Sequence, residues 1–198
     1  SLFSGNKSNF CCLVRTQNKW ILEQYKNLMY LKHIDLPFSH LSDLYLSSHN
    51  LILKGSSNYS CEELVEIKID NHKKFINFSK DFSIQSTLHN LVVNSNWFMG
   101  FKNQKTHYWL YQPIIKNHQN MPFFIKAHSG PTSYFDGSFN SEIKYWTSRG
   151  WAIAEVNYGG SSGFGRKYRE RINGNWGLID SYDCIAVAKL LINQGLAD

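Results

Sequence analysis

The hydrophobic pattern of this chain changes class partway along, and that change limits what it can fold into. From residue 9 to about 80 the apolar residues fall in short runs: Phe10 to Arg15, Trp20 to Tyr25, Asp43 to Ser47, Leu51 to Lys54, Leu64 to Ile69 and Lys74 to Phe78. Turn chemistry separates them at Gln17-Asn18, Ser48-His49-Asn50, Gly55-Ser56-Ser57-Asn58 and Asp70-Asn71-His72. Short β-type runs between turn clusters predict an antiparallel meander, as in a sandwich, a barrel or propeller blades. The runs are too few to close a propeller, and a blade standing alone would expose strand edges. Further sequence is therefore expected before residue 1.

Residues 80 to 120 are transitional, with candidate strands at Leu91 to Val93 and Thr106 to Tyr111 and a polar connector from Pro113 to Asn120. The pattern then becomes strand, helix, strand, loop, helix. Pro122 to Ala127 is a continuous apolar-leaning run, as a buried strand would be. Asn140 can cap a helix, and Glu142 places negative charge in its first turn. Phe139, Ile143 and Trp146 share one side, and Gly150 supplies a left-handed stop. Trp151 to Asn157 is the next strand. Asp180 and Asp183 can open a second helix, with Ile185, Ala188 and Ile192 on one face and Gly195 beyond its end. Apolar positions cover much of that helix's circumference, which predicts that it is well buried. A βαβ pattern implies parallel strands. The fold class is thus mixed, an all-β segment followed by an α/β segment, with the boundary near residues 85 to 95.

Charge and cysteine usage remove several function classes. The net charge is +6, but the basic residues are scattered. Their densest run, Arg166, Lys167, Arg169 and Arg171, is broken by Glu170. Nucleic-acid binding needs a basic stripe interleaved with stacking aromatics, so no nucleic-acid partner is expected. Cys11, Cys12, Cys61 and Cys184 form no C-x-x-C pair, so they read as reduced thiols in a cytoplasmic setting. No apolar run approaches the ~20 residues of a membrane span. The chain opens on Ser-Leu-Phe-Ser-Gly, without Met or signal-peptide architecture, and is expected to be part of something longer. Three N-x-S triplets, at Asn6, Asn58 and Asn77, are read as chance in an Asn-rich chain. His33, Asp35, His40 and Asp43 cluster without a ligand spacing, so no metal is expected. Neither G-x-G-x-x-G nor G-x-x-x-x-G-K occurs, and no cofactor is expected.

Catalytic groups in open α/β sheets gather at the carboxyl ends of strands. Two loops hold such places. His128-Ser129-Gly130-Pro131 follows the run Pro122 to Ala127 directly. Small residues there let backbone N–H groups approach a substrate, and hydrolases place an oxyanion donor in a loop of this kind. One such donor is worth about 3 kcal/mol in a transition state. A tight turn with a satisfied His is the structural alternative. The second loop runs Asn157-Tyr158-Gly159-Gly160-Ser161-Ser162-Gly163-Phe164-Gly165, and Gly159 to Gly163 literally matches G-x-S-x-G. A nucleophile elbow of that type needs an acid and then a His downstream. All 8 His lie at or before His128, and the charged sequel Arg166 to Asn173 is a poor buried helix. Ser161 is therefore read as part of a flexible Gly-rich loop, not as a nucleophile.

From His128 to Asp198 the chain resembles the prolyl oligopeptidase family of serine peptidases, in its dipeptidyl aminopeptidase/acylaminoacyl-peptidase branch. The blocks are HSGPT (His128 to Thr132), FNSEIKYWTSRG (Phe139 to Gly150), NYGGSSGFGR (Asn157 to Arg166), and Tyr168 through Asn173-Gly174-Asn175-Trp176-Gly177 to Asp183. The β-rich part resembles the end of that family's propeller more weakly, with Leu36-Pro37-Phe38 as a blade landmark. The resemblance implies residues 1–88 as the terminal part of a propeller and residues 89–198 as the incomplete N-terminal part of an α/β-hydrolase peptidase domain. It implies that His128, Ser129, Gly130 and Pro131 form the oxyanion loop, with Gly130 N–H as donor. It implies that Asn157, Tyr158, Gly160, Ser161, Gly163 and Gly165 border the active site. The nucleophilic Ser, the acid and the His would all lie beyond Asp198, so no catalytic residue is expected in this chain and it alone should be inactive. Two positions depart from the pattern: Ser129 replaces a Gly, and Gly159 stands where Arg is frequent. The expected partner is a short peptide substrate of the full-length protein, with homo-oligomerisation open. The rival reading is a non-catalytic remnant that acts as a binding or structural module, or pairs with a second chain supplying the triad.

Overall fold

The computed structural model describes residues 2–5, 8–16, 19–47, 50–60, 62–68, 75–77, 91–114, 119–138 and 140–198. The turns expected at Gln17-Asn18 and Asp70-Asn71-His72, the side chains of Cys61 and Phe139, and residues 85 to 90 of the expected boundary lie outside that set. The chain divides into two compact units, Ser1–Ser86 and Thr87–Asp198.

The first unit holds two four-stranded antiparallel meanders. One is β1 (Leu2–Gly5), β2 (Asn9–Thr16), β3 (Lys19–Lys26) and β4 (Met29–Leu36) in sequential order. The other is β5 (His40–Leu46), β6 (Asn50–Ser56), β7 (Glu63–Lys68) and β8 (Phe75–Asn77), also sequential. Each has the strand order of a propeller blade. Period-2 alternation puts Leu51 and Leu53 of β6 on the same buried side as Val65 and Ile67 of β7. Leu13 and Leu22 of the first sheet join them in one core. Burying side chains of this size stabilises the fold by roughly 1.5–3 kcal/mol each.

Two strands of this unit are absent from the sequence reading. β1 is short, and β4 is exposed along most of its length, so neither shows an apolar run. The hairpin joining β3 to β4 turns at Asn27 and Leu28, both at positive φ (49° and 64°). Such a turn favours Asn-Gly, and a Leu in its second position conceals it. β5 begins at His40, earlier than expected, because a bulge between Ser42 and Tyr45 breaks the alternation.

The second unit is built on β9 (Leu91–Met99), β10 (Lys105–Pro113), β11 (Phe123–Ala127) and β12 (Ala152–Asn157), with α1 (Ser141–Thr147), α2 (Arg166–Arg169) and α3 (Ile179–Asn193). The strand order is β11-β12-β10-β9. β11 and β12 are parallel, as the βαβ pattern requires, but β9 and β10 run antiparallel in the same sheet, which is therefore mixed. The candidate strands at Leu91 to Val93 and Thr106 to Tyr111, within the stretch read as transitional, are parts of the longer, paired β9 and β10.

β12 is buried along all six residues, as a strand covered on both faces should be. Ala154 and Val156 turn to a cluster with Tyr108, Leu110, Val187 and Leu191, whereas Ile153 turns to one with Trp109, Tyr111 and Ile143. β11, expected to be buried, is only partly covered, because it is the terminal strand of the described sheet. Asn140 caps α1 by accepting the N–H of Glu142 at 2.8 Å, and Gly150 follows at φ 85°.

α3 departs from expectation. Its buried residues are Ile179, Asp183, Val187 and Leu191, while Ile185 and Ile192 are about half exposed (48% and 50%). The helix is covered on one side only, and the face chosen from sequence is the wrong one. Asp183 is no cap: it lies within the helix on the buried stripe.

Candidate functional site

The oxyanion-loop candidate begins where β11 ends. Gly130 has φ +70°, a left-handed conformation, and a Cβ built there would meet nothing within 4 Å. Backbone conformation, not crowding, asks for glycine. Ser129 is exposed and is not among the positive-φ residues, so the serine imposes no strain at that position.

His128 is half-buried and stacks on Tyr158, the first residue after β12, with ring centroids 4.2 Å apart. Its Nδ1 lies 3.0 Å from the Tyr158 hydroxyl and 3.2 Å from the Gly130 carbonyl oxygen. Its Nε2 lies 2.7 Å from Oγ of Ser161. The Tyr158 hydroxyl also reaches the carbonyl oxygens of His128 (3.1 Å) and Gly130 (3.0 Å). Burial holds the His128 imidazole below its usual value, although backbone hydrogen bonds at Ser129 and Gly130 act the other way. Burial pushes the Tyr158 hydroxyl up to about 12, so it remains a donor at neutral pH.

A Ser–His contact inside a G-x-S-x-G stretch has the outline of a nucleophile and base. The geometry argues against that role. Ser161 is 0% exposed, and its hydroxyl donates to the Tyr158 carbonyl at 2.8 Å. A group so enclosed cannot meet a substrate carbonyl. The reading of this stretch as a flexible loop is also corrected. Gly159 N–H donates to Asp183 Oδ2 (2.9 Å), Gly160 N–H to the Tyr168 carbonyl (3.0 Å), and Ser162 N–H to the Ser133 carbonyl (3.1 Å). Gly160 sits at φ +127°, where a Cβ would meet Ile172 Cβ at 2.7 Å and the Pro131 carbonyl oxygen at 3.0 Å. The two loops are packed against each other.

Asn157, placed in the bordering loop by sequence, is the fully buried last residue of β12. Its amide accepts the N–H of Phe135 (2.7 Å) and donates to the Phe135 carbonyl (2.9 Å). It thereby pins the backbone that follows the oxyanion-loop candidate. Tyr158, Gly160 and Ser161 are buried, Gly163 is partly covered and Gly165 is exposed. At Gly159, a Cβ would lie 2.9 Å from Ile179 and 3.1 Å from the stem of Arg171, so Arg171 occupies the space beside this glycine.

Three contributors were missed. Asp183 accepts from Phe101 N–H (2.7 Å) as well as from Gly159. Tyr168 donates through its hydroxyl to the Asn157 carbonyl and accepts from His107 N–H. His107, fully buried, has Nδ1 3.1 Å from the Asn157 amide nitrogen. No local motif announces these partners, which lie far apart in sequence. The discounted His33, Asp35, His40 and Asp43 are not brought together: Tyr30 OH lies 2.8 Å from His33, and Asp43 pairs with Lys54. Among the described residues no group of three His, Cys, Asp or Glu could hold a metal, and no helix is long and apolar enough to cross a membrane.

Residues 137–198 match the sequence model described as Prolyl oligopeptidase family. Acylamino-acid-releasing enzyme 1 of Oryza sativa subsp. japonica is 30% identical over 83 residues, which is 42% of this chain and 11% of that protein. A puromycin-hydrolyzing peptidase of Mycobacterium tuberculosis superposes with a TM-score of 0.82 at 23% identity, over 99% of this chain and 32% of its own. The acylaminoacyl peptidase of Pyrococcus horikoshii gives a TM-score of 0.82 at 18% identity, over 100% of this chain and 32% of its own. The chain thus spans about a tenth of that curated relative and about a third of the solved structures. The resemblance to the prolyl oligopeptidase family drawn from sequence is borne out, and these peptidases share the fold.

Proposed function

We propose that this chain supplies the oxyanion loop, His128 to Pro131, of a serine-type peptidase that cleaves short peptides or acyl-peptides through an acyl-enzyme. The observation that carries the reading is the bracing of Gly130. Its carbonyl and that of His128 both lie within hydrogen-bond reach of the Tyr158 hydroxyl, and at its left-handed backbone a Cβ would meet nothing within 4 Å. A preorganised N–H of this kind is what a developing oxyanion requires. The family match over residues 137–198 and the acylamino-acid-releasing and puromycin-hydrolyzing relatives support a hydrolase for small acyl and peptidyl substrates.

In this reading residues 1–88 end a β-propeller and residues 89–198 begin an α/β-hydrolase domain. Ser161 is a structural serine, and the nucleophile, its acid and its His come from outside these 198 residues. The chain alone therefore hydrolyses nothing. Cys11, Cys12 and Cys184 are free thiols, which supports a cytoplasmic setting.

Fluorophosphonate labelling of the native protein, with the site mapped by mass spectrometry, tests this. The expected result is a single label on a serine outside residues 1–198. A label on Ser161 overturns the assignment of its loop. Saturable peptide binding with no label would favour the non-catalytic binding module.

A further inference from the structure

The hydroxyl of Ser161 has one proton, and the Tyr158 carbonyl oxygen, which can only accept, lies 2.8 Å away. With the proton on that carbonyl, the serine oxygen accepts from His128, whose Nε2 is 2.7 Å distant. A neutral imidazole with its proton on Nε2 has a bare Nδ1. That Nδ1 faces the Tyr158 hydroxyl at 3.0 Å, and the same hydroxyl reaches the carbonyl oxygens of His128 and Gly130. Ser161, His128 and Tyr158 thus form one run of contacts that ends at the backbone around Gly130, where His128 Nδ1 and the two carbonyl oxygens compete for the single proton of the Tyr158 hydroxyl.

We infer that Ser161 is a positioning residue for the oxyanion loop: by accepting from Nε2–H it fixes the ring and tautomer of His128, and through His128 and Tyr158 it fixes the backbone of Ser129 and Gly130. The inference rests on the peptidase reading above. Without the serine oxygen the His128 proton has no partner at Nε2. It then moves to Nδ1, where the Gly130 carbonyl, 3.2 Å away, can accept it. That bond would draw the Gly130 peptide toward the ring and shift the donor N–H. Ser161 touches no substrate, because it is fully buried. Its effect must pass through His128.

The test uses the native protein with Ser161→Ala, which removes one atom, and His128→Gln. Nitrogen-15 NMR of the imidazole reports the tautomer, and steady-state kinetics on an acyl-peptide substrate reports the loop. The expected result is an Nε2–H tautomer in the native protein and an Nδ1–H tautomer in Ser161→Ala. With it comes a fall in kcat on the order of tenfold to a hundredfold at an unchanged KM. Ser161→Ala should cost little more once His128→Gln is present, because both act through one link. Should Ser161→Ala misfold, Tyr158→Phe breaks the same chain at its other end and should give the same split of kcat from KM. The inference is overturned if the tautomer is Nδ1–H in the native protein, if kcat does not fall, or if the two substitutions add. Those outcomes leave the peptidase reading standing. A native protein that neither turns over acyl-peptides nor takes a fluorophosphonate overturns both.

Discussion

The carboxylate of Asp183, inside α3, accepts the N–H of Gly159 at 2.9 Å and so fixes the start of a loop 24 residues before it. Its other oxygen accepts the N–H of Phe101 at 2.7 Å. One carboxylate thereby ties a helix, a strand end and a turn together. Gly100 makes room for it, since a Cβ there would lie 2.2 Å from Asp183 Oδ1. Asp183→Ala leaves two backbone donors without a partner. The expected cost is about 1–3 kcal/mol, read as a lower urea midpoint. Gly100→Ala should be damaging for the same reason, by displacing the carboxylate.

Gly130 and Gly160 both have positive φ, but alanine should affect them differently. At Gly160 the new methyl meets Ile172 Cβ at 2.7 Å and the Pro131 carbonyl oxygen at 3.0 Å. Backbone strain and a clash combine, so Gly160→Ala should cost more than about 2 kcal/mol and lower Tm visibly. At Gly130 nothing lies within 4 Å of the methyl. Gly130→Ala should cost only about 1–2 kcal/mol. Under the oxyanion role proposed above for Gly130, its larger effect should be on turnover. Thermal melts beside kinetics on the native protein separate the two.

The unit containing the site was legible where local chemistry and tertiary structure agree. Asn140 caps α1, Gly150 ends its turn, and the apolar runs at β11 and β12 pair in parallel. β4 was hidden because its residues are exposed and its turn carries Leu28 at positive φ. The two loops were found, since their glycines and their place after strands are sequence features. Their supports were not. Asp183 reads as a cap until its partners are known, and nothing near Asn157 in sequence announces its bonds to Phe135. Such contacts join distant segments, and a single sequence holds no trace of them.

The misread face of α3 gives a sharp comparison. The true stripe carries Asp183 beside Ile179, Val187 and Leu191, so apolar composition favoured Ile185, Ala188 and Ile192 instead. Leu191 is 1% exposed and packs beneath the sheet in the cluster with Val156 and Leu110, whereas Ile192 is 50% exposed. Leu191→Ala should cost about 2–5 kcal/mol through the lost burial and the cavity left behind. Ile192→Ala should stay below about 1 kcal/mol. Urea denaturation of the two variants checks the assignment, and equal costs would mean that both faces of α3 are covered.

Glu155 should make stability depend on pH near neutrality. It is 4% exposed on β12, receives the Tyr111 hydroxyl at 2.8 Å, and has Lys126 3.7 Å away on β11. Burial raises its carboxyl to about 7, with Asp136 adding to the rise, against the opposing pull of Tyr111 and Lys126. The folded state thus holds the proton more tightly than the unfolded chain, whose carboxyl titrates near 4.5. The resulting stabilisation is fully present below about 4.5 and is lost as pH rises through about 7. Its size is on the order of 2–3 kcal/mol across that window. Glu155→Gln keeps an acceptor for Tyr111 and removes the titration. The expected outcome is a urea midpoint that falls between pH 4.5 and 7.5 more steeply in the native protein than in Glu155→Gln. Parallel curves would show that Glu155 is ionised throughout, with Lys126 compensating its burial.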